Sequence, residues 1–208
     1  GSPITARNFI SEWCDIIVRD RNHPSIVTWT PLNEAWNPDT VQYPRFVEDL
    51  YDVTHMVDPT RPVNTVSGGI ITNEYDICTM HNYEQDGEKL KAKIYNPETG
   101  AFYHYPARRI PKPSHSSEFP TTGDISTKAG FKQAVYDGTR PYIFDEFGGI
   151  KCLEATPTKD LEKGKAQTTS WGYGVSTLTK EEFYKRLEGQ VNALLSISEQ
   201  VWGYCYTQ

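Results

Sequence analysis

The apolar positions change period several times along the chain, and each change marks an element. Over residues 5–19, Phe9, Ile10, Trp13, Cys14 and Ile17 fall on one stripe while Asp15, Arg19 and Asp20 lie mostly off it. That spacing predicts an amphipathic helix, ended by Asn22-His23-Pro24. "SIVTWTPL" (Ser25 to Leu32) follows, a β-rich apolar run bounded by proline that reads as a buried strand. Helical spacing returns over 44–57, with Phe46, Val47, Leu50, Tyr51 and Val57 inward and Asp58-Pro59 as the stop. "RPVNTVSGG" (Arg61 to Gly69) and "YDICTMHNY" (Tyr75 to Tyr83) are the second and third strand candidates. Gln85 to about Arg140 then reads as a long insert with several prolines and one short helix near 127–137. "RPYIFDEFGG" (Arg140 to Gly149) is the fourth strand, and a second long loop runs from Gly149 to Leu178. Thr179 and Glu182 have capping-box spacing. They start a helix running to about 197, with Phe183, Leu187, Val191, Leu194 and Leu195 on its buried face. "QVWGYCYTQ" (Gln200 to Gln208) is the fifth strand, with Trp202 read as core.

Alternation of helices with buried, non-alternating strands predicts an α/β fold with a parallel sheet, either doubly wound or part of a (βα)8 barrel. In both, chemistry sits at the carboxyl ends of the strands. Asn33-Glu34, His81-Asn82, Asp145-Glu146 and Tyr206 lie at such ends.

Composition narrows the partners. A net charge of −6 argues against nucleic acid and anionic membrane surfaces, which are bound through cationic patches. No apolar run reaches the ~18 residues of a membrane span. Cys14, Cys78, Cys152 and Cys205 show no CxxC spacing and read as free or buried thiols. The five histidines form no ligand motif, so no metal site and no cofactor is expected. Thirteen tyrosines and five tryptophans suit ligands with flat faces, such as sugars, as well as a rigid core.

Glu34 alone reads more readily as a solvated loop residue, and Glu146 alone as a strand end before a glycine turn. Together they follow two apolar strands at one predicted rim. Two carboxyl groups are what glycosidic bond cleavage requires, one as acid and one as nucleophile or base. Trp36, Trp171, Tyr173, Tyr204 and Tyr206 are candidates for stacking on sugar faces, and His81 for meeting a hydroxyl. By strand alternation Asp145 should point away from the rim occupied by Glu146.

"RDRNHPSIVTWTPLNE" resembles the acid/base signature of glycoside hydrolase family 2, the family of β-galactosidases, β-glucuronidases and β-mannosidases. "RPYIFDEFGG" resembles its nucleophile strand, and "WGYG" with "GYCYTQ" resembles the segment entering the last strand. The resemblance implies strands four to eight of a TIM barrel, one catalytic-domain fragment over residues 1–208, with Gly1-Ser2 a cloning remnant. It makes Glu34 the general acid/base and Glu146 the nucleophile of a retaining, exo-acting β-glycosidase, with the carboxyl groups ~5–5.5 Å apart. Asn33 would bond the sugar 2-hydroxyl, and Tyr83 would sit near the nucleophile. No metal is implied. The expected partner is a β-glycoside. Strands one to three are not legible, so the fragment is expected to turn over poorly and to self-associate through open barrel edges. The alternatives are a barrel endo-glucanase or mannanase, and a non-catalytic carbohydrate-binding or assembly fragment. Sugar identity and cellular location stay open.

Overall fold

The computed structural model describes residues 3–35, 42–69, 71–72, 74–102, 125–126, 132–133, 136, 138–152 and 172–207. The chain divides into two compact units, Gly1–Met80 with His104–Ile143, and His81–Tyr103 with Phe144–Gln208.

The first unit opens with α1 (Pro3–Asp20), whose Ile17 is buried. The chain then reaches β1 (Leu32–Asn33), α2 (Gln42–Val57) and β2 (Val66–Ser67). β1 and β2 pair in parallel, Leu32 opposite Val66 and Asn33 opposite Ser67, and a bridge from Trp29 to Val63 extends the pairing backward. The expected buried strand at Ser25 to Leu32 is therefore mostly irregular. Trp29 is 5% exposed but Val27 is 72% exposed. Side chains explain this segment's course better than a sheet does. Arg61 donates to the carbonyls of His23 and Ile26, and Trp29 Nε1 donates to Asp58 at 2.9 Å.

Asp58 is a buried hub. Burial pushes its carboxyl up, but hydrogen bonds from Thr60, Trp29 and Arg61 outweigh that and hold it below the usual carboxylate range. The helices meet through aromatic edges: Phe9 lies 5.6 Å from Phe46, and Trp13, which donates to Thr54, lies 5.9 Å from Trp29. Each such edge contact is worth about 1 kcal/mol beyond its buried area. β6 (Ile125–Ser126) and β7 (Lys132–Gln133) also fall in this unit and pair antiparallel. The helix expected near 127–137 is thus replaced at Lys132–Gln133 by strand, and its other positions lie mostly outside the described residues.

β3 (Cys78–His81) and β8 (Tyr142–Gly148) each run from the first unit into the second, and β8 lies between β3 and β11 (Gly203–Thr207) in a three-stranded sheet. The second unit adds α3 (Gly87–Ile94), the hairpin β4 (Tyr95–Asn96) and β5 (Ala101–Phe102), the parallel pair β9 (Ile150–Cys152) and β10 (Tyr173–Thr177), and α4 (Lys180–Leu195). Both stretches read as loops from the sequence thus contain regular elements. α3 starts at Asp86, whose side chain caps the Lys89 N–H, and it buries Leu90 and Ile94. α4 starts as expected. Thr179 Oγ1 accepts from the Glu182 N–H at 3.2 Å, while Glu182 reaches back one residue further, to the Leu178 N–H.

Two core expectations are corrected. Leu195 is 52% exposed, because the buried face of α4 turns to Gln190, Ala193 and Leu194. Trp202 is 71% exposed, just ahead of β11, which among the described residues pairs on one side, with β8. The four cysteines are free thiols. No helix among the described residues is long and apolar enough to cross a membrane.

Candidate active site

Glu34 belongs to the first unit and Glu146 to the second, and each has its own setting. The strand carrying Glu34 ends in an abrupt turn. The Glu34 N–H donates to the Ser67 carbonyl at 2.8 Å, and its φ is +45°, the only positive value among the described non-glycine residues. A side chain in that left-handed region costs about 1–2 kcal/mol and persists where the surroundings over-determine it. Three contacts do so here. Ser67 holds the Glu34 amide. Tyr43, near the start of α2, donates to the Ala35 carbonyl at 2.9 Å. Burial pushes the Tyr43 phenol up, which keeps it a donor. Gly69 then packs so tightly that a Cβ there would lie 2.8 Å from the Ala35 oxygen and 2.9 Å from its nitrogen. Glu34 is therefore no freely solvated turn residue. Asn33 beside it is exposed, paired with Ser67 across the two strands.

Glu146 sits within β8, in regular extended backbone, and its carbonyl accepts from the Asn82 N–H at 3.1 Å. Its side chain is held by other side chains. The Tyr83 hydroxyl donates to Glu146 Oε2, and the fully buried His81 ring places Nδ1 3.3 Å from the same oxygen. The other ring nitrogen of His81, Nε2, is 3.3 Å from Asp145 Oδ1. Asp145 therefore does not point away as alternation predicts. The burial pattern of β8 alternates through Phe144 and then breaks, leaving Asp145 and Glu146 both half-buried.

Tyr83 is fixed from several sides. Its ring stacks on Tyr173 with centroids 4.1 Å apart and planes at 18°. Gln85 Nε2 donates to the carbonyls of Tyr83 and Gly148, at 2.9 and 2.7 Å. Gln190 Nε2 donates to the Glu84 carbonyl at 2.8 Å, tying the loop to α4. Lys93, bonded to Glu84, holds that carboxylate below its ordinary range.

The two glycines after Phe147 make room for this packing. A Cβ on Gly148 would lie 2.4 Å from the Tyr206 ring, and one on Gly149, at φ +57°, 2.6 Å from the Tyr173 ring. Tyr173 and Tyr206 keep 38% and 39% of their surface exposed, so both offer ring surface to a ligand. Burial pushes the Tyr206 phenol up, against the opposing effect of the Ile150 backbone N–H. Trp36 and Trp171 lie outside the described residues. Within the second unit, the structure brings His81 and Tyr83 to Glu146, all three of them candidates from the sequence, and sets Tyr206 against Phe147. Sequence reasoning missed Gln85 and misjudged Asp145.

A strand ending in a strained glutamate and a second glutamate seated by tyrosine and histidine both call for comparison with known enzymes. Residues 2–141 match the model of "Glycosyl hydrolases family 2, TIM barrel domain". The chain belongs to glycosyl hydrolase family 2. The family match takes in Asn33, Glu34, His81 and Tyr83 and ends before Glu146. Among curated relatives, a β-galactosidase of Photobacterium profundum is 32% identical over 82 residues, covering 39% of this chain and 7% of that protein. A β-glucuronidase of Paenibacillus borealis is 32% identical over 74 residues, covering 33% of this chain and 12% of that protein. The solved β-D-glucuronidase of Dictyoglomus thermophilum superposes with a TM-score of 0.55 at 15% identity, over 97% of this chain and 28% of that one. This family 2 chain thus spans a small part of the length of the relatives it matches.

Proposed function

We propose that the chain carries catalytic residues of a retaining, exo-acting β-glycoside hydrolase. Glu146 is the nucleophile that attacks the anomeric carbon. Glu34 is the acid that protonates the leaving oxygen and then the base that activates water. Asn33 bonds the sugar 2-hydroxyl, and Tyr173 and Tyr206 offer stacking faces. β1, β2, β3, β8 and β11 stand as strands four to eight of the family barrel. The observation that carries the reading is the seating of Glu146, whose Oε2 accepts from the Tyr83 hydroxyl and lies 3.3 Å from His81 Nδ1, as an aimed nucleophile needs. The over-determined turn at Glu34 supports it independently. Family membership supports a β-linked terminal sugar as substrate. The relatives named β-galactosidase and β-glucuronidase support galactose and glucuronic acid as the sugars to try first.

The test is covalent trapping. A 2-deoxy-2-fluoro-β-glycoside with a good leaving group is expected to add one sugar mass to a peptide containing Glu146, and Glu146→Gln is expected to abolish the adduct. An adduct on another carboxylate, or sugar binding without an adduct, overturns the assignment; the second outcome points to a carbohydrate-binding fragment. Release of internal rather than terminal sugars from a β-linked oligosaccharide would point to an endo-acting glucanase or mannanase.

A further inference from the structure

β3 ends at His81, and one residue on, the Asn82 N–H still reaches across to the Glu146 carbonyl of β8. Beyond that bond the two main chains offer acceptors on both sides. The carbonyls of Tyr83 and Gly148 flank one nitrogen, Gln85 Nε2, at 2.9 and 2.7 Å. Two carbonyls cannot bond each other, and a primary amide is the neutral side-chain group that carries two hydrogens on one atom. The orientation of that amide is set from its other end. Arg186 Nη1 on α4 donates to Gln85 Oε1 at 3.4 Å and to the Val175 carbonyl at 2.7 Å. A guanidinium only donates, so the amide oxygen faces Arg186 and the nitrogen faces the two carbonyls. Room for the side chain is built in as well: a Cβ on Gly174, at φ +68°, would lie 2.7 Å from Gln85 Cγ.

We propose that Gln85 is a positioning residue for Tyr83, and that its amide fixes the spacing across which the Tyr83 hydroxyl bonds Glu146. Donor and acceptor of that bond sit on different segments, Tyr83 just past β3 and Glu146 on β8, two residues before Gly148. The Gln85 amide joins those segments, one hydrogen to each. The other contacts of the loop act elsewhere. Gln190 and Lys93 hold Glu84, from α4 and α3. The Tyr173 ring, at 18° to that of Tyr83, fixes the plane of the phenol, and a near-parallel stack still permits sliding within that plane. Sliding changes the reach of the hydroxyl, and the anchor at the Tyr83 carbonyl opposes it. A methionine at position 85 would keep the length of the side chain and supply neither hydrogen, so the loop would be free to drift from β8.

The catalytic half of this proposal rests on Glu146 acting as the nucleophile, but the amide clamp does not. The two are therefore read separately. In the full chain, both Gln85 side-chain N–H protons, assigned by NMR through the residue's own Cγ, are expected to exchange with solvent about tenfold more slowly than those of an exposed glutamine. Fast exchange of either proton overturns the clamp without any variant. With 13Cζ-labelled tyrosine, the Tyr83 signal, identified by its loss in Tyr83→Phe, is expected to move toward the free-tyrosine position in Gln85→Met. An unchanged signal in that variant overturns the positioning role. In glycoside hydrolysis, Gln85→Met is expected to lower kcat about tenfold with KM little changed, and to cost less than about twofold when added to Tyr83→Phe. A loss as large in the Tyr83→Phe background as in the parent shows Gln85 acting by another route and overturns the proposal, as does a loss confined to KM. A protected amide and a shifted Tyr83 signal in a chain whose Glu146 is never trapped would refute the glycosidase reading while leaving the clamp intact.

Discussion

The two candidate carboxylates are held by opposite means. Glu34 is positioned by backbone: its own amide on Ser67, the neighbouring carbonyl on Tyr43, and the close pass of Gly69. Glu146 lies in regular strand, and side chains of Tyr83 and His81 approach its carboxylate. The difference suits the two proposed roles. A residue proposed to serve as acid and then as base must change proton state, and the main chain around Glu34 fixes where it does so. A nucleophile that must present one oxygen along one line needs its carboxylate gripped directly.

The largest expected effect tests the grip on Glu146. Tyr83→Phe removes a donor from the reacting carboxylate and should lower kcat about 10²–10³-fold, with the urea midpoint nearly unchanged. A fall below tenfold would break the contrast, because the Tyr83 hydroxyl would then not be what aims Glu146. Next comes the base of the backbone-held region. Asp58→Ala strips Trp29 and Arg61 of their buried acceptor, and should cost about 3–5 kcal/mol in urea unfolding. The same carboxyl has a sign in pH. Its native pKa lies below its ordinary 3.8, so its contribution is present above that value and is lost as pH falls from there through the depressed native value. The parent chain should therefore lose stability on acidification through that range, and Asp58→Ala should lose less over the same interval.

Gly149→Ala should cost about 2 kcal/mol by meeting the Tyr173 ring and straining φ, and should also disturb the Tyr83 stack. Activity lost without stability lost would place Tyr173 on the substrate rather than behind Tyr83. The smallest effect bears on Glu34. Glu34→Gly relieves the left-handed strain and should raise stability by about 1 kcal/mol while abolishing hydrolysis. A destabilised Glu34→Gly variant would show that the side chain, not the turn, sets the local geometry.

Much of this arrangement is readable from the chain, and the exceptions have physical causes. Local patterns fixed α1, α2 and α4, since stripes, stops and the Thr179 cap lie within one or two helical turns. α3 was hidden for a nearby reason: the prolines that make its surroundings look like loop begin only at Pro97, after the helix has ended. Asp86 as cap and Leu90 with Ile94 at four-residue spacing were the signal to follow. Exposure was read less well. Trp202 and Val27 look like core residues, but their burial depends on neighbours that no local window contains. Both candidate carboxylates were found from the rule that apolar strands end at the chemistry. What holds them was not, because the φ of Glu34 and the bond from Tyr83 to Glu146 depend on residues far away in sequence.

That distance has a consequence during synthesis. Tyr83 leaves the ribosome 63 residues before Glu146, the group it bonds. At about 5–20 residues per second, the phenol and the neighbouring imidazole wait roughly 3–13 s for their carboxylates. Neither unit is one continuous stretch of chain, so translation alone cannot finish one before starting the other. For those seconds Tyr83 and His81 lack the Glu146 carboxylate they face. A pause engineered into the message between these two positions should lengthen that interval, and nascent-chain protease sensitivity should lengthen with it.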